Sequence, residues 1–167
     1  DGVCREMTAA VTNIVLVGMP GSGKSTVGRA VAQALGRRFY DADAVIEERA
    51  GKPIPQIFAE EGEAAFRDLE HAVLTDLGRQ SGVVIATGGG AVCFARNLPC
   101  LRENGRVYRL CRPVDRLPVD GRPLSTSQER LRAMEREREP FYRRASQVSV
   151  DNSGTLARTV ETILQDF

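Results

Sequence analysis

The chain has 167 residues, the length of one ordinary domain with enough residues for a sizeable core. A formal net charge of +1 offers no broad basic surface for nucleic acid, and no run of about 18 apolar residues predicts a transmembrane helix. We therefore expect neither a nucleic-acid partner nor a membrane partner. The four cysteines show no C-x-x-C spacing, which favours a reducing, cytoplasmic location.

The chain begins at Asp1 and shows no apolar signal segment in its first ten residues. We expect residues 1–12 to be a tag remnant or a linker from a larger, fused enzyme. Residues 13–167 are expected to form a single domain.

Apolar runs and helical periodicity alternate along this domain. Strands are predicted at 13–17, 37–41, 82–87, 107–111 and 147–150. Helices are predicted at 26–35, 42–49, 54–61, 62–80, the end of 96–104, 128–139 and 155–167, with Pro99 interrupting the fifth and Pro140 ending the sixth. The alternation predicts an α/β fold of three layers, with a mostly parallel sheet covered by helices on both faces. The Pro- and Gly-punctuated segment at about 113–127 is predicted to be a short lid.

A phosphate-binding loop follows the first predicted strand. Residues 18–25 match G-x-x-x-x-G-K-[ST] in full, between a buried strand and a helix. Glycines let backbone N–H groups approach an anion closely, and the helix N-terminus adds partial positive charge. Lys24 is expected to reach the β- and γ-phosphates and Ser25 to ligate Mg²⁺. The alternative, a plain connecting turn, does not require so complete a match.

Acids and glycines follow the next two strands of the predicted sheet. Asp41 and Asp43 are two residues apart in an extended segment, so both carboxylates can face one cleft. One carboxylate would lie near magnesium and the other would serve a hydroxyl or a proton; the alternative is a helix cap. Gly88, Gly89 and Gly90 suit close backbone approach to a ligand, or form a simple flexible turn.

Two further arginines are candidates for anion binding. The guanidinium of Arg67 could hold a carboxylate in two hydrogen bonds, braced by Glu70, although an ordinary surface pair is the more common meaning of this spacing. Arg122 lies between Gly121 and Pro123, where a cation on a lid could meet a transferring phosphoryl group; a solvated loop arginine is the alternative.

Taken together, these motifs resemble the shikimate kinase family, small P-loop kinases of the nucleoside monophosphate kinase group. The resemblance runs from about residue 13 to the C-terminus. It rests on the segments 18–29, 41–43, 57–63, 66–70, 88–92, 122–124 and 138–142.

This resemblance implies ATP-dependent phosphorylation of the shikimate 3-hydroxyl and a monomeric fold with a five-stranded parallel sheet. It implies that Asp43 binds the substrate hydroxyls and acts as base, and that Asp41 holds Mg²⁺ through water beside Ser25. Lys24 and Arg122 would stabilise the transferring phosphoryl group. The substrate pocket would include Asp43, Arg67, Gly88, Gly89, Gly90 and Arg138. The ATP site would include Gly21, Ser22, Gly23, Lys24, Ser25, Thr26, Arg116 and Arg122.

Three alternatives share part of this pattern. A gluconate-type sugar-acid kinase has a P-loop and a carboxylate acceptor but is not expected to combine the motifs at 41–43, 66–67 and 88–90. A nucleoside monophosphate kinase usually has a longer arginine-rich lid. A catalytically inactive kinase-like module would not need Lys24, Asp43 and the three arginines at 67, 122 and 138. The predicted lid is one or two residues shorter than the family pattern, and the loop at 151–154 lacks a proline often found there, so adenine recognition is expected to differ.

Overall fold

The computed structural model describes residues 11–117 and 124–167, with the side chains at 124–127 excepted. Residues 1–10 and part of the predicted lid, 118–123 with Arg122, lie outside the described residues. The described residues form five strands and seven α-helices. The strands are β1 (Asn13–Val17), β2 (Phe39–Asp41), β3 (Val84–Ala86), β4 (Gly105–Cys111) and β5 (Val148–Asp151). The helices are α1 (Lys24–Leu35), α2 (Ala42–Ala50), α3 (Ile54–Glu61), α4 (Glu63–Gly78), α5 (Leu98–Arg102), α6 (Leu124–Ala145) and α7 (Leu156–Asp166).

All five strands are parallel and lie in the order β2-β3-β1-β4-β5. The apolar β1 occupies the centre, where Val15 pairs with Ile85 of β3 on one side and Val107 of β4 on the other. Because parallel strands need crossover connections, helices lie on both faces of the sheet. The predicted three-layer architecture is confirmed.

Each face of the sheet has its own apolar core. On one face, Ile14 and Leu16 pack with residues of α1 and α7, including Val31 and Ile163. On the other face, Val15 and Val17 belong to a larger cluster that extends into α2, α3, α4 and α6. The alternation of buried side chains along β1 therefore holds the strand, and the loop that follows it, from both sides.

Two predictions about prolines were wrong. Helix α6 does not stop at Pro140 but runs on to Ala145. Tyr142 and Ala145 are fully buried against the sheet, and this packing holds the last turn in place despite the missing N–H of Pro140. Pro99 does not interrupt its helix either, because it lies in the first turn of α5, where no N–H partner is needed. Helix α6 also starts at Leu124, inside the segment predicted as lid.

The described part of the chain contains no helix that combines the length and the apolar character required to cross a bilayer. At the predicted start of the domain, Thr12 is tied into the fold. Its hydroxyl accepts a hydrogen bond from Gly82 N at 3.1 Å, and its carbonyl accepts one from Arg37 at 2.6 Å.

Candidate active site

The carboxyl ends of β1, β2 and β3 open onto one edge of the sheet, and two adjoining cavities lie there. The larger, of about 420 Å³, is lined mainly by the P-loop together with Asp41, Asp43 and Thr87. The smaller, of about 170 Å³, is lined by Asp43, Ile54, Phe58, Phe66, Arg67, Glu70 and Gly88 to Gly90. Asp43, Gly88 and Gly89 line both cavities, so a ligand in one would lie directly beside a ligand in the other.

The P-loop wraps around the N-terminus of α1. Gly23 has a φ of 95°, a left-handed conformation that favours glycine, and the helix begins at the next residue. Lys24 Nζ donates to the carbonyls of Gly18 at 2.7 Å and Met19 at 2.9 Å. Within the described residues, the N–H groups of residues 23–26 donate to no backbone carbonyl, and the first N–H of this turn that does so belongs to Val27. These free N–H groups form an anion site.

Burial makes the ammonium of Lys24 a stronger acid than that of an exposed lysine. Desolvation is the largest effect, and it lowers the pKa of this ammonium to about 8, although the nearby Asp43 opposes the shift. A multiply charged anion bound beside this ammonium would stabilise its charged form, because the anion would replace the lost hydration.

The two carboxylate oxygens of Asp41 accept hydrogen bonds from different parts of the site. Oδ1 caps α2 by accepting from the backbone N–H of Asp43 at 3.0 Å, and Oδ2 accepts from the Ser25 hydroxyl at 2.8 Å. The two interpretations of this acid, helix cap and metal-site residue, are therefore compatible. The Ser25–Asp41 pair joins the P-loop to the end of β2 and faces the larger cavity.

Asp43 lies at the boundary between the two cavities. Burial raises the pKa of its carboxyl, and the negative charge of Asp41 adds to that effect, while Lys24 and Arg67 oppose it. A carboxyl whose pKa is raised in this way is a better proton acceptor than an exposed aspartate.

Arg67 is not a surface residue. Its guanidinium donates to Glu70 Oε1 at 2.9 Å and lies over the rings of Phe66 and Phe94, with its central carbon 5.1 and 4.7 Å from their centroids. The side chain of Glu70 is only 2% exposed, so the predicted brace is a buried ion pair. Burial raises the pKa of Glu70, and the hydrogen bond from Arg67 opposes this shift.

Two guanidinium nitrogens near the smaller cavity are left without partners. Among the described residues, Arg67 Nε and Arg138 Nη1 are buried and make no hydrogen bond. Glu63 Oε2 lies 3.6 Å from Arg67 Nε, too far for a hydrogen bond. Buried cationic donors without partners are costly, and an anionic ligand would satisfy them.

The three glycines after β3 bring these groups close to the backbone. A Cβ added to Gly88 would lie 2.7 Å from Asp43 Oδ1, one on Gly89 would lie 2.9 Å from Arg138 Nη1, and one on Gly90 would lie 3.0 Å from Arg67 Nη2. These three glycines, here called the glycine wall, therefore lie against Asp43, Arg138 and Arg67 respectively. Tyr142 of α6 donates its hydroxyl to the carbonyl of Gly89 at 2.8 Å and fixes the wall from behind.

On the nucleotide side, Arg116 follows β4 and donates to the carbonyl of Ser153 at 3.0 Å. Sequence reasoning missed Arg112 and Asn152, which both contact the P-loop from outside. It also missed Phe94 beneath Arg67 and the hydroxyl of Tyr142. Arg112 and Phe94 lie in no motif, whereas Tyr142 and Asn152 lie in the segments 138–142 and 151–154, where they had no role of their own. Only the tertiary fold brings the four residues to the site.

Comparison with known proteins decides the family. The family model described as shikimate kinase matches residues 20–167. The chain belongs to the shikimate kinase family. Shikimate kinase of Halorhodospira halophila is 46% identical over 157 residues, covering 89% of each chain. Shikimate kinase of Burkholderia lata is 46% identical over 147 residues, covering 83% of this chain and 80% of the relative.

Solved structures of the family share the fold. Shikimate kinase from Acinetobacter baumannii, solved in complex with shikimate, superposes with a TM-score of 0.86 at 38% identity, covering 96% of this chain and 94% of that one. A gluconokinase from Sinorhizobium meliloti superposes with a TM-score of only 0.58 at 21% identity, which shows a shared fold alone.

Proposed function

We propose that this chain transfers the γ-phosphoryl group of ATP to the 3-hydroxyl of shikimate, giving ADP and shikimate 3-phosphate. One observation carries this proposal. Two buried guanidinium nitrogens, of Arg67 and Arg138, have no hydrogen-bond partner in the described structure and lie with the half-buried carboxyl of Asp43 beside a P-loop. This arrangement suits a small acceptor that has a carboxylate at one end and a reacting hydroxyl at the other.

The acceptor carboxylate binds between Arg67 and Arg138. Glu70 and the two phenylalanine rings hold Arg67 in a fixed orientation, so little side-chain entropy is lost when the ligand binds. The backbone of Gly88, Gly89 and Gly90 lies against the shikimate ring. Side chains at these three positions would fill the space that the ring needs.

Asp43 binds the acceptor hydroxyls and accepts the proton of the 3-hydroxyl. The freed oxygen attacks the γ-phosphorus as the bond from that phosphorus to the β–γ bridging oxygen breaks, and the bridging oxygen leaves with ADP. The rate arises from positioning and charge neutralisation, without covalent catalysis. The raised pKa of Asp43 strengthens it as the proton acceptor.

The triphosphate binds along residues 21–26, with Lys24 between the β- and γ-phosphates. Arg122, which lies outside the described residues, supplies a further cation over the γ-phosphate, and Arg116 lies beside the adenine. These residue roles follow from the family resemblance and from the position of the P-loop.

Magnesium fits this site through hard oxygen donors. The Ser25 hydroxyl and the Asp41 carboxylate are adjacent, and no group of three or more metal-binding side chains occurs among the described residues. A site with few protein oxygens is typical of Mg²⁺ bound chiefly by phosphates and water. Bound there, the ion neutralises charge on the phosphates.

A coupled ADP-release assay tests the function. We expect Mg²⁺-dependent turnover with ATP and shikimate, and none above background with gluconate or nucleoside monophosphates. Turnover of gluconate or a nucleotide, without turnover of shikimate, would exclude the proposed acceptor, and no turnover at all would favour an inactive module. A monomeric state, a cytoplasmic location and a link to a fused enzyme stay predictions.

A further inference from the structure

Two residues outside the P-loop hold its backbone from the outer side. Arg112 follows β4 and Asn152 follows β5. Arg112 Nη1 donates to the carbonyl of Gly21 at 2.9 Å, and its Nε donates to the carbonyl of Asn152 at 3.2 Å. The amide of Asn152 donates to the carbonyl of Ser22 at 2.7 Å. Consecutive P-loop carbonyls are thus tied to two neighbouring strand ends.

The orientation of the Asn152 amide is fixed by a third residue. The hydroxyl of Thr159, in α7, donates to Asn152 Oδ1 at 2.7 Å. Since the oxygen of the amide accepts this bond, the nitrogen must face Ser22. Asn152 is 4% exposed and Thr159 is 1% exposed, so water does not compete for either bond.

Peptide geometry connects these outer contacts with the inner face of the loop. In a trans peptide, the carbonyl of one residue and the N–H of the next point in opposite directions. Holding the Ser22 carbonyl outward therefore turns the Gly23 N–H inward, toward the phosphate site. Holding the Gly21 carbonyl outward turns the Ser22 N–H toward Met19, whose carbonyl accepts it at 3.1 Å.

We propose that Arg112, Asn152 and Thr159 form a brace that sets the phosphate-binding conformation of the P-loop, and that Arg112 and Asn152 are positioning residues for ATP. Without the brace, the Ser22–Gly23 peptide is free to rotate. Its carbonyl can then point into the phosphate site, where it repels the anion. This inference rests on the proposed ATP-dependent function and concerns nucleotide affinity, not acceptor affinity.

The test compares Arg112→Met and Asn152→Asp with Arg106→Met as a matched control. Arg106 lies at the amino end of β4, the strand that Arg112 follows, and pairs with Asp166. Asn152→Asp keeps the size of the side chain and the acceptor for Thr159 but removes the donor to Ser22. Three quantities are measured: the Kd of ADP by calorimetry without acceptor, the Kd of shikimate without nucleotide, and the Tm.

We expect Arg112→Met and Asn152→Asp each to weaken ADP binding by about tenfold or more, as expected when a charge-assisted or buried hydrogen bond is lost. Shikimate binding should stay within about twofold, and Arg106→Met should bind both ligands normally. Thr159→Val should weaken ADP binding less than Asn152→Asp, because only the orientation of the amide is lost.

ADP affinity within about twofold of wild type in both brace variants would overturn the proposal. An equal loss of ADP and shikimate affinity would also overturn it, because the brace would then support the fold in general. Should Asn152→Asp fail to fold, the ADP affinity of Arg112→Met decides the test alone, because Arg112 is half-exposed and its substitution disturbs the core less. The calorimetry does not depend on turnover. An inactive wild-type enzyme would therefore refute the proposed function without deciding the brace.

Discussion

The two ends of the proposed site would recognise anions by different means. At the acceptor end, the donors are side chains: Arg67 and Arg138 hold buried nitrogens without partners in the described structure, and an ion pair with Glu70 fixes the first of them. At the nucleotide end, the donors are mainly backbone N–H groups of residues 23–26, helped by Lys24.

The difference follows from the shapes of the two anions. A planar carboxylate matches the fork of a guanidinium, whereas a triphosphate presents many oxygens around a chain and suits a curved row of N–H groups. Substitution of one binding side chain should therefore lower the affinity for the acceptor most. The affinity for the nucleotide should depend chiefly on the backbone conformation of the P-loop. Asp43 lies between the two ends, and its substitution should leave the affinity for ADP nearly unchanged.

The largest expected effect separates chemistry from binding. Asp43→Asn keeps the shape of the side chain but removes the proton acceptor, so kcat should fall by about a thousandfold, within the range for a general base. The Kd of ADP should stay within about twofold, because the P-loop is unchanged. Single-turnover kinetics and calorimetry measure these quantities.

Asp68→Asn is the matched control, since Asp68 is an exposed carboxylate on α4 that pairs with Arg96. It should leave kcat unchanged. A near-normal rate in Asp43→Asn would remove this residue from the proton transfer and leave it only a binding role.

The next effect concerns the carboxylate clamp. Arg138→Met should raise the KM of shikimate by about 10- to 100-fold, the range for a lost hydrogen bond to a charged group, with little change in the KM of ATP. Shikimate methyl ester sharpens the test, because it lacks the charge that the arginine binds. Wild type should bind the ester more weakly than the acid. In Arg138→Met this preference for the acid should be smaller than in wild type but not abolished, because Arg67 remains.

If Arg138→Met still preferred the acid by the wild-type factor, the clamp would be assigned to the wrong arginine. Arg67→Met offers the second arm of the same comparison. Arg67→Met should raise the KM of shikimate more than Arg138→Met does, because Glu70 would remain buried without its partner.

Local pattern predicted the strands and the P-loop, because each depends on near neighbours in the sequence. The prediction of one extended segment for Asp41 and Asp43 was wrong for Asp43, because α2 begins at Ala42 and Asp43 lies in its first turn. The buried state of Arg67 could not be predicted from spacing alone, since Phe94, which covers it, comes from a distant loop. The course of α6 through Pro140 was also missed, because burial of Tyr142 outweighs the local cost of proline. Arg112 lies in no motif, and Asn152 lies in the loop at 151–154 without a predicted role of its own, so only the fold brings them to the P-loop.

The glycine wall provides a test of positioning. A Cβ on Gly88 would lie 2.7 Å from Asp43 Oδ1, so Gly88→Ala must displace that carboxylate. A displacement of less than about 1 Å at a reacting group should lower kcat roughly tenfold, with the Kd of ADP unchanged. A normal kcat, together with a crystal structure showing Asp43 in place, would contradict this role for the wall.

The smallest effect is a difference between two pH profiles. Burial lowers the pKa of Lys24 to about 8 in the free enzyme, so its charge, and with it ATP binding, is lost as the pH rises through that value. The profile of kcat/KM for ATP reports the free enzyme and should fall to about half at pH 8, and about tenfold further for each pH unit above 9. With saturating ATP, the phosphates raise the pKa of Lys24, so kcat/KM for shikimate should not show this fall. Equal alkaline limbs in both profiles would mean that the group titrating there is not the P-loop lysine.

At acid pH, both profiles should fall as Asp43 is protonated. The fall should come at a higher pH than for an ordinary aspartate, because burial raises the pKa of the Asp43 carboxyl.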